Sequence, residues 1–321
     1  MRVLVAGGAG FIGSHLCERL LRDGHEVICL DNFVTGRRVN IEHMADWPSF
    51  LLVEHDIIES APPLGAVDRV YHLASPASPP GYQRHPLETM RVNSEGSRHL
   101  LDLATENGAW YLYASTSEAY GDPLEHPQRE SYRGNVSTTG PRSMYDEAKR
   151  YGEALAMAYL RAHGTLARIV RIFNTYGPRS DPHDGRLVPN FIVQALRNEP
   201  MTVYGDGQQT RSLCYVSDLV DGLYRAMECP GATGEVTNLG NPDEHTVLEF
   251  ATIIRELAGS SAPIIYTEPA VGDDPQRRRP DIDKARALLG WEPEVALRDG
   301  LARTIAAFRA ELGSGDLACA S

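Results

Sequence analysis

The residues Gly7-Gly8-Ala9-Gly10-Phe11-Ile12-Gly13 stand between a short apolar run and a segment with leucines at helical spacing. A backbone that must turn sharply there, and let a pyrophosphate approach helix N–H groups, needs glycines at this spacing. Asp31 ends the next apolar run, where a carboxylate can accept hydrogen bonds from an adenosine ribose. A 2′-phosphate would meet like charge at that position, so NAD is expected rather than NADP. Asn32 beside it, Asp56-Ile57 after the third apolar run and Leu73-Ala74-Ser75 after the fourth fall on the same cofactor rim. Tyr145 and Lys149 are four apart, so on a helix both side chains project from one face, one turn apart. A free phenol has a pKa near ~10, and bringing it to ~7 takes about 4 kcal/mol of preference for phenolate. A neighbouring ammonium and a cationic nicotinamide ring are expected to supply that preference. The run Ser115-Thr116-Ser117-Glu118 adds hydroxyls and a carboxylate directly after an apolar strand.

The elements that must position these groups alternate. Short apolar runs at 3–6, 27–30, 50–53, 70–73, 110–114 and 167–172 read as strands, and the spacing predicts helices over 14–21, 87–107 and 145–163. Strands without polar alternation suit a parallel sheet covered on both faces. The fold class expected is therefore α/β, a Rossmann-type doubly wound parallel sheet, whose ligands bind at the carboxyl edge of the strands. Beyond Gly177-Pro178 the pattern changes to helices at 188–197, 216–227, 247–257 and 283–289 between loops rich in Gly, Asp and Pro. We read residues 1–177 as the NAD-binding domain and 178–312 as a smaller, interleaved C-terminal substrate-binding lobe. The segment 313–321 lacks periodicity and reads as a frayed tail.

Of the 321 residues, 42% are hydrophobic and 23% charged, ordinary globular values that exclude a disordered or fibrous chain. The net charge of −12, without a long basic run, offers no electrostatic footprint for a nucleic acid. Phosphate must then be met by a few placed groups. No stretch approaches the ~20 apolar residues needed to cross a bilayer, and the first residues run into a strand pattern, so no membrane association and a cytoplasmic location are expected. Cys17, Cys29, Cys214, Cys229 and Cys319 are odd in number and show no zinc-ligand spacing, which predicts free thiols and no metal site.

These motifs in this order resemble the extended short-chain dehydrogenase/reductase family and, within it, the UDP-glucuronate decarboxylases, or UDP-xylose synthases. The resemblance runs from Val3 to about Leu312 and includes Asp31-Asn32-Phe33, His72 to Pro80, Ala114 to Pro123, Gly140 to Arg150, Arg171 to Arg179, Thr202 to Asp218, Leu239 to Phe250 and Asp273 to Pro293. It implies that Tyr145, assisted by Lys149, takes the proton from a sugar 4-hydroxyl as hydride leaves C4 for NAD. The resulting β-keto acid loses CO2, with Thr116 and Tyr145 hydrogen-bonding the enolate, and the hydride returns to give UDP-xylose. Glu118 has a part in proton handling. Among Arg277, Arg278 and Arg279, the register of the resemblance favours Arg278 as the proton donor or substrate gate.

The resemblance also implies the remaining contacts. Arg211 clamps the diphosphate with Asn174 beside it, Gln209 neighbours the clamp, and Tyr204 and Val188 wall the uracil and ribose. Pro76, Tyr82 and Ser117 shape the sugar-acid pocket. Helices over 87–107 and 145–163 are the candidates for a four-helix homodimer interface. Ser137-Thr138-Thr139 and Ser143-Met144 depart from the family's form beside the reacting sugar, which leaves release of UDP-4-keto-pentose open as an outcome. A nucleotide-sugar 4-epimerase or 4,6-dehydratase on the same scaffold is the alternative, and a regulatory scaffold that only senses NAD is a remote one.

Overall fold

The computed structural model describes residues 1–268 and 277–318. Six strands alternate with helices through the first half: β1 (Arg2–Ala6), α1 (Phe11–Arg22), β2 (Glu26–Asp31), β3 (Phe50–Glu54), β4 (Arg69–His72), α2 (Pro79–Arg84), α3 (Pro86–Arg91), α4 (Ser97–Asn107), β5 (Trp110–Thr116), α5 (Ser143–His163) and β6 (Ala167–Ile172). The second half adds β7 (Thr175–Tyr176), α6 (Leu187–Leu196), β8 (Met201–Tyr204), β9 (Thr210–Ser212), β10 (Cys214–Tyr215), α7 (Val216–Glu228), β11 (Val236–Leu239), β12 (Glu244–Thr246), α8 (Val247–Ala258), β13 (Ile264–Thr267), α9 (Asp283–Leu289) and α10 (Leu297–Ala318).

Seven strands form one parallel sheet in the order β11-β6-β5-β4-β1-β2-β3. The strand order reverses between β1 and β4, so a crevice opens at their carboxyl ends. The glycine turn leaves β1 there, and Leu73-Ala74-Ser75 leaves β4. The remaining strands pair in twos, β7 with β10, β9 with β12 and β8 with β13.

Two features refine the division into halves. β11 comes from the C-terminal half yet completes the main sheet by pairing with β6. A single apolar cluster also joins Val5 and Leu16 to Leu219, Leu223 and Phe250. The two halves share a core because α7 buries its apolar stripe against the same face of the sheet as α1. α10 carries on past Gly313 to Ala318, into the segment read as frayed, while 319–321, with Cys319, lie outside the described residues.

The helical run over 86–107 is interrupted by a π-helical turn, Val92–Gly96. Such bulges re-aim side chains, often at functional sites. Here the turn buries Asn93, whose amide donates to Ser75 Oγ at 2.9 Å and to Thr89 O at 2.8 Å, while its Oδ1 accepts from the Tyr113 hydroxyl at 2.8 Å. The loop after β4 is thus fixed from below. Among the described residues no helix is long and apolar enough to cross a membrane, no cluster of candidate metal ligands occurs, and Cys17, Cys29, Cys214 and Cys229 are free thiols.

Candidate active site

The glycine turn has little spare room. Gly7 adopts φ +81°, and a Cβ on it would lie 2.7 Å from Ala74 N; a Cβ on Gly13 would lie 2.1 Å from Gly7 O. Gly10 caps α1 without a side-chain hydrogen bond, and no acidic residue occupies the first turn. The N–H groups at this helix start are thus left without a side-chain cap among the described residues, an arrangement that suits an anion. Asp31 is buried, its Oδ2 accepting from Ala9 N at 2.9 Å and its Oδ1 from Phe33 N at 2.8 Å, and burial raises its pKa. Asn32 donates to Asp56 at 3.1 Å, and Asp56 accepts from Ile58 N at 2.9 Å, while Ile57 packs inward. A bare helix start, a cradle that Cβ atoms would fill and a carboxylate at the end of β2 fit a dinucleotide.

Tyr145 and Lys149 lie in the first turns of α5, against the ends of β5. Lys149 Nζ is buried, donates to Ala114 O at 2.8 Å, and sits 5.1 Å from the Tyr113 ring centroid and 5.9 Å from that of Tyr145. Burial lowers its pKa to about 7, against a smaller opposing pull from Glu153. Burial also raises the Tyr145 phenol; a hydrogen bond with Thr116 acts the other way, and the Glu118 and Asp146 carboxylates raise it further. In the cofactor-free chain desolvation therefore dominates both groups, and the expected lowering of the phenol depends on the charge that bound NAD adds to that of Lys149. The Tyr82 ring stacks on Tyr145 with centroids 5.0 Å apart and 12° between planes, closing the phenol from one side.

Thr116 ends β5, two residues beyond the expected strand, and its Oγ1 accepts from Glu118 N at 3.2 Å, capping the tight turn Ser117–Tyr120. Ser117 is buried in that turn. The Glu118 carboxylate is held by two arginines, Arg278 through Oε1 and Arg142 through Oε2 at 2.6 Å. Burial pushes its pKa up, and the charges of Arg278, Arg142 and, further off, Arg211 more than reverse this, so it stays a carboxylate. Held so, it accepts hydrogen bonds and has no proton to give. Of the three adjacent arginines Arg278 is buried at 5% exposure, Arg277 is exposed and Arg279 is intermediate. Gln276 lies outside the described residues. A cavity of about 230 Å³ adjoins Glu118 and Arg142 and is lined by Ser137, Ser143 and Asp146, residues in or next to the two departing segments.

Residues 3–240 match the NAD dependent epimerase/dehydratase family. The chain belongs to that family. It is 52% identical over 311 residues to UDP-glucuronic acid decarboxylase 1 of Xenopus tropicalis, covering 97% of this chain and 73% of the relative. It is 52% identical over 314 residues to UDP-glucuronic acid decarboxylase 5 of Arabidopsis thaliana, covering 98% of this chain and 91% of the relative. A solved structure, UDP-glucuronic acid 4-epimerase from Bacillus cereus in complex with UDP-glucuronic acid and NAD, superposes with a TM-score of 0.88 at 29% identity, covering 97% of this chain and all of the other.

As a member of this NAD-dependent family, the chain takes NAD as its cofactor. Its fold brings some of the expected substrate residues to the Tyr145 site and leaves others apart. Arg211 is buried and acts electrostatically on Glu118. Asn174 follows β6, and its carbonyl accepts from Cys214 N at 2.9 Å. Pro76 is buried in the loop leading to Tyr82. Gln209 Nε2 donates to Tyr204 O at 2.8 Å, so those two share one edge, where Tyr204 is 45% exposed. Val188 is buried in α6 as part of the common core. Sequence reasoning did not assign Arg142, Glu153, Arg171 or Asn93. Only Glu153 carried a readable signal, four residues past Lys149 on the same helix face.

Proposed function

We propose that this protein decarboxylates UDP-glucuronate to UDP-xylose through a UDP-4-keto intermediate, recycling its NAD internally. The observation that carries the reading is the arrangement of Arg142, Arg278 and Arg211 around the single Glu118 carboxylate, beside a phenol hydrogen-bonded to Thr116. Several buried guanidiniums around one carboxylate suit a substrate that brings a second carboxylate and a diphosphate. The relatives at 52% identity are decarboxylases of UDP-glucuronic acid by name, which supports the same reading.

When bound, NAD accepts hydride from the sugar ring and gives it back. The chain supplies the rest. Tyr145 Oη takes the C4-hydroxyl proton as the phenolate, a form disfavoured by burial in the free protein and favoured by the positive charge of bound NAD, with Thr116 Oγ1 as its hydrogen-bond partner. The carboxylate of the resulting β-keto acid leaves as CO2 because its electrons delocalise into the new carbonyl, and Thr116 and Tyr145 hydrogen-bond the enolate oxygen. Arg278, paired with Glu118, serves as proton donor to C5 or as gate for the sugar acid. Arg211 clamps the diphosphate, with Asn174 and Gln209 near it, Tyr204 and Val188 border the uridine, and Pro76, Tyr82 and Ser117 shape the sugar-acid pocket.

The test is NMR analysis of products after incubation with UDP-glucuronate and NAD, with released CO2 trapped. UDP-xylose and stoichiometric CO2 are expected, and Tyr145→Phe should lower turnover by about 10²–10⁴. UDP-galacturonate without CO2 would replace this reading with 4-epimerisation; accumulated UDP-4-keto-pentose would restrict it to the first half-reaction. The proposal extends to a cytoplasmic homodimer. Leu87 and Met90 on α3 and Tyr151 on α5, exposed at 69%, 46% and 52%, support pairing through these packed helices. A hydrodynamic mass of one chain would refute it.

A further inference from the structure

One turn beyond Lys149 on α5, Glu153 makes a set of contacts that the reaction as described does not use. Its Oε1 accepts from Ser115 Oγ at 2.5 Å and Arg171 Nε at 2.8 Å, and its Oε2 from Arg171 Nη2 at 2.8 Å. Ser115 and Arg171 are paired residues on the neighbouring strands β5 and β6. Glu153 therefore grips both strands at one level, between Ala114, whose carbonyl receives the Lys149 ammonium, and Thr116, the partner of Tyr145. Arg171 passes the grip on: its guanidinium lies 4.6 Å from the Tyr120 ring centroid, and the Tyr120 hydroxyl donates to Asn238 Oδ1 at 2.7 Å. Tyr120 closes the turn that carries Ser117 and Glu118.

For stability alone, a buried ion pair is no better than well-packed apolar side chains of the same volume, because desolvation offsets its Coulomb gain. What this pair adds is a fixed geometry and a fixed charge. The titratable groups around Lys149 are His72 from β4, Tyr113 from β5, and Tyr145 and Glu153 from α5. Burial, aided by the Lys149 charge, lowers His72 to about 3, so it is neutral. Burial raises both tyrosines, which are neutral too. Glu153 is the carboxylate acting on the ammonium.

We propose that Glu153 is a positioning residue for the Tyr145 site, supplying the counter-charge to the Lys149 ammonium while clamping Ser115 and Arg171 beneath Thr116 and the Glu118 turn. The inference rests on the reading of Tyr145 and Lys149 as the groups that serve decarboxylation. Its test is arranged to fail separately from that reading.

The chain has two lysines, Lys149 and Lys284. Protein grown with ¹³C,¹⁵N-lysine therefore gives two side-chain amine signals, with Lys284, paired to Glu235 on the surface, as internal reference. A Lys284→Arg variant assigns them. In the substrate-free protein the Lys149 signal should titrate near 7. Glu153→Gln should lower that midpoint by ~1 pH unit and leave Lys284 unmoved. With UDP-glucuronate, kcat should fall about 10–100-fold, with KM changed less than about threefold, and the high-pH limb of the rate profile should move down with the Lys149 midpoint.

Because Glu153→Gln leaves the Arg171 cation buried and unpaired, E153Q/R171M is measured alongside. The same low midpoint in a double variant that melts like the wild type supports the proposal. An unmoved Lys149 midpoint in either variant, or a uniform loss of rate at every pH, overturns it and leaves Glu153 a purely structural residue. Wild-type protein without turnover would sink the decarboxylase reading instead, and the substrate-free titration would still decide the role of Glu153.

Discussion

Lys149 shows what it takes to bury an amine beside the Tyr145 phenol. Its pKa falls from 10.5 in an exposed lysine to about 7 because burial disfavours the ammonium. Between those values the unfolded chain binds more protons than the folded one, so the contribution of this group to stability rises with pH across the window and is most unfavourable below about 7. At 1.36 kcal/mol per pH unit the full penalty is about 5 kcal/mol. Lys149→Met removes the penalty together with the hydrogen bond to Ala114 O, itself worth about 1 kcal/mol. The variant is expected to melt several degrees higher than wild type at pH 6, with the gain shrinking towards pH 10, while turnover drops by at least ~10²-fold. Thermal melts at the two pH values check this. A variant that melts lower at pH 6 would mean that the ammonium, despite its burial, is a net stabiliser.

The elements around the crevice separate glycines that serve folding from glycines that serve binding. A Cβ at Gly13 meets Gly7 O at 2.1 Å, backbone against backbone in the tightest part of the β1–α1 turn, whereas at Gly10 the nearest atom is 3.2 Å away. Gly13→Ala is expected to cost about 1–3 kcal/mol of stability and to abolish cofactor retention. Gly10→Ala should melt close to wild type and still hold NAD more weakly, because its new methyl group faces the bare helix start. Calorimetry and the absorbance of co-purified nucleotide distinguish the two; equal losses of stability would show that both glycines only build the turn. These elements also mark what was legible beforehand. The first six strands and α5 follow from runs of apolar residues and from 3.6-residue periodicity, and the glycine turn and the Tyr145/Lys149 pair read directly from spacing. Val236–Leu239 did not, because four residues containing Thr and Asn lack the apolar run of a buried strand and are recruited by pairing with β6. Nor did the grip on Glu118, since Arg278 reaches it from 160 residues away and only tertiary packing selects that arginine from its neighbours.

At the scale of the whole molecule, the boundary expected near Gly177 does not divide the chain into bodies that stand alone. α7 lies beyond that boundary yet packs on α1, β5 and β6, burying Leu219, Leu223 and Met227 completely. Trp291, further along, donates to Asp218 O at 2.9 Å and locks the same helix from outside. At about 1.5–3 kcal/mol per large apolar side chain, loss of those three alone amounts to ~5–9 kcal/mol, comparable with the ~5–15 kcal/mol by which ordinary domains are stable. Removing 178–321 also strips β11 from β6 and leaves that buried strand with an open edge. A chain ending at residue 177 should therefore lose its near-ultraviolet circular dichroism, aggregate, and show no cooperative thermal transition, even though it carries the glycine turn, Asp31, Tyr145 and Lys149. A sharp transition in that fragment, with retained NAD, would show instead that the first half is an autonomous dinucleotide-binding domain. The expected failure has a functional side: the arginines that crowd Glu118 come from both halves, Arg142 from the first and Arg211 and Arg278 from the second. The arginine cluster around Glu118 can therefore form only once the shared core has closed.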